Sequence, residues 1–135
     1  MLVIPGFDFR YHWSEIPIYV VIIADCFVGM GFLIVFRVFK ANSFASGTIE
    51  VSSEQALIST GPYKIIRHPM YSGGILLCLF TPIALGSYPA LIFAIGVSVV
   101  IVFRLLDEEK ILSEKLHEYK DYCDKVKYRL IPGVW

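Results

Sequence analysis

The chain has 135 residues, with 12 basic and 12 acidic side chains and no formal net charge; 56% of it is hydrophobic and 18% charged, against about 25% charged in soluble domains. The length allows one domain. No basic face outweighs the acidic one, which excludes a nucleic-acid-binding surface, and no strand leads into a Gly-x-Gly-x-x-Gly loop, which excludes a soluble dinucleotide fold.

The charges are unevenly placed. Fourteen of them fall in residues 104–135, none in 71–103, and one, Asp25, in 16–36. Thirty-three uncharged residues in a row point to lipid, not to a wetted helix or strand face. The expected fold is an all-α integral membrane protein. It has about three membrane helices, one span plus a short broken hairpin, and an amphipathic C-terminal helix in the cytoplasm.

Residues 1–15 are aromatic and mixed, without the basic start or small-residue cleavage site of a signal peptide. Tyr11, Trp13 and Tyr19 suit a membrane interface. A first span over 16–38 follows, closed by Arg37 and Lys40; Gly29 and Gly31 would let another helix approach closely. Asp25 inside that span costs roughly 2.5–3.5 kcal/mol, so a hydrogen bond to a neighbouring helix is expected for it. Residues 39–70 form a loop, with an extended, hairpin-like piece over 41–62 that Gly61-Pro62 ends as a turn.

The stretch 71–103 is too long for one span of about 20 residues and short for two. Pro82, Gly86 and Pro89 divide it. The expectation is a hairpin over 70–104, with helices over 70–85 and 89–104 and a tip at Gly86-Ser87-Tyr88. Such interrupted segments either mark a ligand cavity, where freed backbone groups find polar partners, or are simply short hairpins in a thin bilayer. The tail, 105–135, reads as an amphipathic helix over 104–128. Leu105, Leu112, Leu116, Tyr119, Cys123 and Val126 share one face, and Asp121 and Lys125 are spaced as an i,i+4 pair. Pro132-Gly133 stops the helix, and Trp135 is an interface-type residue. Basic residues before and after the hairpin, with none at its tip, place loop and tail in the cytoplasm of a multi-pass protein.

Two groups of residues carry possible chemistry. The first is the run 61–73. Pro69 suits the first position of a helix with His68 at its cap. Lys64 and Arg67 oppose the dipole there unless something anionic joins them, so the run is either an anion site or an orientation signal. The second is Asp107-Glu108-Glu109, three adjacent carboxylates that raise at least one pKa unless a cation is near. Either they compensate a helix start or they receive a cationic ligand. Tyr63 and Tyr71 serve equally as anchors or ligands, and Arg129 adds a cation on the same side. The cysteines Cys26, Cys78 and Cys123 read as apolar filler. His12, His68 and His117 are too scattered for a metal site.

Gly61-Pro62-Tyr63, then Arg67-His68-Pro69-x-Tyr71-x-Gly73, a hydrophobic hairpin, Glu108-Glu109, and Tyr119-x-x-Tyr122 before Val126-x-Tyr128-Arg129-Leu130-Ile131-Pro132 follow one another in order. In this the sequence, over about residues 40–135, resembles the isoprenylcysteine carboxyl methyltransferase family, itself related to the membrane phospholipid N-methyltransferases. The resemblance implies S-adenosylmethionine as cofactor. It implies Tyr63, His68, Pro69, Tyr71, Glu108 and Glu109 as cofactor-binding residues, with His68 and Tyr71 toward the cofactor's carboxylate and the glutamates toward its ammonium or ribose. Arg67, Arg129 and Glu108 are the implied catalytic residues, either arginine holding an acceptor carboxylate. The implied reaction is carboxyl O-methylation of a lipidated cysteine or another lipophilic small molecule among membrane lipids, with no metal and no nucleic acid. The alternatives are methylation of a phospholipid amine and a non-catalytic, truncated membrane protein. Members of that family carry further membrane helices before the part matched here, so the chain is expected to be a compact version, a fragment or a truncated frame.

Overall fold

The computed structural model describes residues 2–41, 60–116 and 118–135. The hairpin-like piece expected over 41–62 lies mainly outside the described residues, as does His117. Five α-helices are described: α1 (Val3–Tyr11), α2 (Ile18–Ala41), α3 (Pro69–Ala84), α4 (Pro89–Lys115) and α5 (Glu118–Lys125), with a single 3-10 turn at Gly61–Lys64 between α2 and α3. That turn is where Gly61-Pro62 was expected to end the loop; Gly61 adopts φ +59, a conformation open to glycine at little cost.

Helices α2 and α4 are long and apolar enough to cross a membrane, and only 11% and 17% of their apolar windows are buried inside the protein. Soluble core helices would be covered. Exposed isoleucines, valines and phenylalanines along both, from Ile22 and Phe32 to Val100 and Phe103, need a lipid solvent instead. Helix α3 is apolar and shorter, at 16 residues. This is the architecture of an integral membrane protein.

Helix α2 packs mainly on α3, and α3 on α4. The buried stripe of α2 runs through Ala24, Gly31 and Val38, a spacing of seven that matches left-handed helix pairing. Gly31 meets Gly73 of α3 so closely that a Cβ on Gly73 would stand 2.8 Å from Val35 Cγ2 and 3.1 Å from the Gly31 carbonyl oxygen. Gly29, also expected at a contact, has nothing within 4 Å of its would-be Cβ. Asp25 departs from expectation as well. It sits one residue past Ala24, off the buried stripe, is exposed, and makes no hydrogen bond or ion pair with the described residues.

The hairpin turns where the sequence indicated, between Ala84 and Pro89. Pro82 does not break it: it lies buried in the last turn of α3, at the cost of the one hydrogen bond its missing N–H would have made to the carbonyl four residues earlier. Gly86 takes φ +76, and the amides of Leu85 and Ser87 donate to Thr81 and Pro82 carbonyls at 2.9 Å. The interruption is therefore satisfied by the chain itself, which favours the short hairpin over a ligand cavity at the tip.

An unanticipated helix, α1, closes that tip. Asp8 is 1% exposed and Ser87 0%. Asp8 accepts the Ser87 hydroxyl at 2.6 Å, the Ser14 amide at 2.7 Å and the Ser14 hydroxyl at 2.8 Å. Burial works against the ionised carboxyl, but the hydrogen bonds from Ser87 and Ser14 outweigh it and hold the pKa below the ordinary aspartate value. A carboxyl with a depressed folded pKa stabilises above its unfolded value, about 3.9, and that contribution is lost as pH falls through the lower folded value. Acidification below about pH 4 should thus free α1 from the tip. Asp8→Ala should show the same opening at pH 7, read as faster limited proteolysis within residues 11–17; resistance equal to the wild type would refute the clasp.

The tail is not one helix over 104–128. α4 runs unbroken from the hairpin through Arg104 to Lys115, Leu116 is extended at φ −117 and ψ 107, and α5 starts afresh at Glu118. The break lets α5 turn back, so that Tyr119, Tyr122 and Val126 form a small core with Leu112, Leu116 and Cys123. The apolar periodicity is real, but it is shared by two helices. Asp121 and Lys125 form no ion pair.

Candidate functional site at the open end of the hairpin

Pro69 opens α3 with His68 at its cap. The residues before them are anchored to the tail by backbone: the Arg67 amide donates to Tyr128 O at 2.9 Å and the His68 amide to Arg129 O at 3.0 Å. The Ser72 hydroxyl donates to Leu130 O at 2.7 Å, and the Tyr122 hydroxyl to Tyr63 O at 2.7 Å. Burial pushes Tyr122 up to about 12, which keeps it a phenol and a donor. Loop 61–68 and tail 119–130 thus form one unit at the open end of the hairpin.

Glu109 of α4 projects into this unit. Its Oε1 lies 3.2 Å from Arg67 Nη1 and 3.2 Å from His68 Nε2. Its Oε2 accepts Arg129 Nε at 2.7 Å. The anion demanded by Lys64 and Arg67 at the start of α3 is therefore supplied, in part, by the chain's own carboxylate. Two guanidinium cations share one carboxylate, so among the described residues the ion pairs of this cluster leave one positive charge in excess.

The neighbouring carboxylates diverge because successive helical residues point about 100° apart. Glu108 Oε2 accepts the Tyr71 hydroxyl at 2.6 Å, and Tyr71 in turn accepts Arg104 Nε at 3.2 Å. Asp107 is exposed and joins neither group. The acidic triplet does not compensate a helix start, since α4 runs unbroken through 107, and its three members face different ways.

The two arginines differ. Arg67 has an 11% exposed side chain, with Nη1 also donating to Cys123 Sγ at 3.0 Å. Its Nε is buried without a hydrogen-bond partner among the described residues. Arg129 is 32% exposed, and Nε is its single hydrogen-bonding nitrogen toward the described residues. Cys123, read from sequence as filler, becomes a partner of Arg67; no spacing signals that role. Tyr119, buried to 4%, stands 3.5 Å from Glu109 Oε1. Burial and then the charge of Glu109 drive its phenol far upward, so it too stays neutral.

An open groove of about 500 Å³ borders the cluster on its Arg67 side, lined by Arg67, Glu109, Lys110, Ser113, Tyr119, Lys120, Cys123 and Asp124, with Arg129 and Glu108 outside that lining. Its size suits a small molecule or cofactor, and its lining offers both charge signs and an aromatic wall.

A family model described as phospholipid methyltransferase matches residues 19–119. The chain belongs to the phospholipid methyltransferase family. The match takes in nearly all of α2, then α3, α4 and the glutamate pair, and the family lies in the superfamily that also holds the isoprenylcysteine carboxyl methyltransferases. This phospholipid methyltransferase family chain is also similar to sterol reductases. It is 28% identical to a Delta(14)-sterol reductase of Mus musculus over 91 residues, 65% of this chain and 22% of the relative. A probable 7-dehydrocholesterol reductase of Acanthamoeba polyphaga mimivirus is 32% identical over 82 residues, 58% of this chain and 18% of that protein. The 7-dehydrocholesterol reductase of Arabidopsis thaliana is 30% identical, with shares of 58% and 19%. The chain spans about a fifth of the length of the curated relatives it matches.

Proposed function

We propose that this chain forms the cofactor-binding part of a membrane S-adenosylmethionine-dependent methyltransferase, with loop 61–68 and the tail on the cytoplasmic side. The acceptor we assign is a carboxylate on an isoprenylcysteine-like or other lipophilic molecule. The observation that carries the reading is the Glu109 cluster with its surplus positive charge at the open end of the hairpin. S-adenosylmethionine, when bound, would supply a sulfonium methyl whose carbon takes a bond from an acceptor oxygen as its bond to sulfur breaks and the neutral thioether leaves. The residues present fit that molecule. Arg129 has both Nη groups available for its carboxylate. Glu108 keeps Oε1 for the ammonium or a ribose hydroxyl while Oε2 holds Tyr71.

Arg129, not Arg67, is the anion-holding arginine in this reading, because Arg67 is spent on Glu109 and Cys123. Arg67 and His68 then act through Glu109, fixing the carboxylate that aims Arg129. Positioning supplies the catalysis, since in-line approach is the main demand of methyl transfer. A carboxylate acceptor needs no general base. An amine acceptor would release a proton, and in this reading Glu108 Oε1 takes it. The exposed apolar faces of α2 and α4 let a lipid-embedded acceptor arrive sideways.

The test is binding of labelled S-adenosylmethionine in detergent, followed by transfer to a prenylcysteine analogue as a base-labile ester. Arg129→Leu should weaken binding about tenfold or more, the loss expected for a charge-assisted hydrogen bond. Unchanged binding would remove Arg129 from the site. Label that appears in lipid headgroups and survives mild base would identify a phospholipid amine as acceptor instead.

A second reading follows from the relatives: reduction of a carbon–carbon double bond in a sterol. The uncompensated guanidinium suits a phosphate-bearing hydride donor as well as a carboxylate. Binding of a reduced nicotinamide cofactor, with none of S-adenosylmethionine, would favour it.

A further inference from the structure

We propose that Trp135 is a positioning residue that aims the Arg129 guanidinium. The proposal rests on the reading of Arg129 as the anion-holding group. Residues 130–135 fold into a closed turn. Trp135 O accepts the amides of Leu130 at 2.9 Å and Ile131 at 3.0 Å, and Ile131 O accepts those of Val134 at 3.1 Å and Trp135 at 3.2 Å. Gly133 at φ +80 makes the reversal, which a β-carbon would resist. The turn brings the indole back over Arg129, with the guanidinium carbon 5.2 Å from the ring centroid.

Arg129 is thereby fixed from two directions. Glu109 Oε2 holds Nε at 2.7 Å, and the indole covers one face of the planar cation. Both Nη groups are left without hydrogen bonds to the described residues, and together they form an edge that a carboxylate or phosphate can grip bidentately. An arginine side chain is otherwise among the most flexible on a protein surface, and a ligand would have to order it. With the face and Nε already engaged, that ordering is done before the ligand arrives. The residues that read as a helix stop and an interface anchor, Pro132-Gly133 and Trp135, are then parts of one device.

A mere interface anchor tolerates any bulky apolar side chain, whereas positioning needs an aromatic face. Binding of S-adenosylmethionine should weaken about two- to fivefold in Trp135→Leu, the range of an exposed cation–π contact, and return to near wild type in Trp135→Phe. In a double-mutant cycle, Trp135→Leu should add no further loss once Arg129→Leu is present. Losses that simply add, or Phe behaving as Leu, would overturn the proposal. A ligand-free arm separates this claim from the cofactor assignment. With Trp13→Phe as background, Trp135 is the chain's one indole, and Arg129→Leu should shift its emission. If wild-type protein binds no S-adenosylmethionine, the cofactor reading fails and the emission arm decides the positioning claim alone; an emission spectrum indifferent to Arg129 sinks it.

Discussion

Glu109→Ala should abolish S-adenosylmethionine binding and lower folding stability by about 3 kcal/mol, the lower end of the cost of breaking a buried ion pair. Glu109 is 9% exposed and is the common partner of Arg67, His68 and Arg129. Without it Arg67 and Arg129 lose the carboxylate they share. The lower end applies because Arg129 is a third exposed, so solvent screens its share. Thermal unfolding in detergent measures the loss, and Glu108→Gln is the comparison. That change keeps the shape and weakens one hydrogen bond to Tyr71, for about 1 kcal/mol. If the two variants unfold alike, Glu109 is not the centre of the cluster.

Gly73→Val should be nearly as damaging, by a different route. A β-carbon at Gly73 already meets a short, stiff valine and the backbone of α2, neither of which can swing aside. Forcing atoms into such a contact costs about 1–3 kcal/mol for small additions, and valine adds two methyl groups beyond the first carbon. The helices must separate, and α3 carries His68 and Tyr71 at its start, so ligand binding should fall along with stability. Gly74→Ala is the matched control, since nothing lies within 4 Å of its would-be Cβ. Equal unfolding temperatures for Gly73→Val and Gly74→Ala would contradict the close α2–α3 approach.

Much of this architecture was legible because membrane solvent simplifies the code. Helix boundaries at Pro69 and Pro89 follow from the two prolines and from the hydrophobic length of a bilayer, both local properties. Gly31 was legible as a contact residue for the same reason, whereas Gly29, equally small, was indistinguishable from it in sequence and faces outward. The break at Leu116 was hidden. The spacing of Leu112, Leu116, Tyr119 and Cys123 fits one continuous helix as well as two, and the gain that favours two, burial of Tyr119 and Tyr122 against loop 61–68, is a long-range contact. Asp8 was hidden too, since its partner Ser87 is 79 residues away.

What the sequence determined by itself is the segregation of charge: apolar segments that must sit in lipid, and ionisable residues gathered before and after the hairpin, which must meet because a hairpin returns to the side it left. What the tertiary structure alone decided is the pairing within that gathering. Loop cations and tail carboxylates read as separate sites for a separate anion and cation. In the folded chain Glu109 neutralises Arg67 and shares Arg129, Glu108 turns to Tyr71, and one guanidinium edge is left without a partner among the described residues. Sequence order fixes which residues reach the same end of the hairpin; the 100° rotation between neighbours on α4 and the fold-back of α5 fix which of them touch.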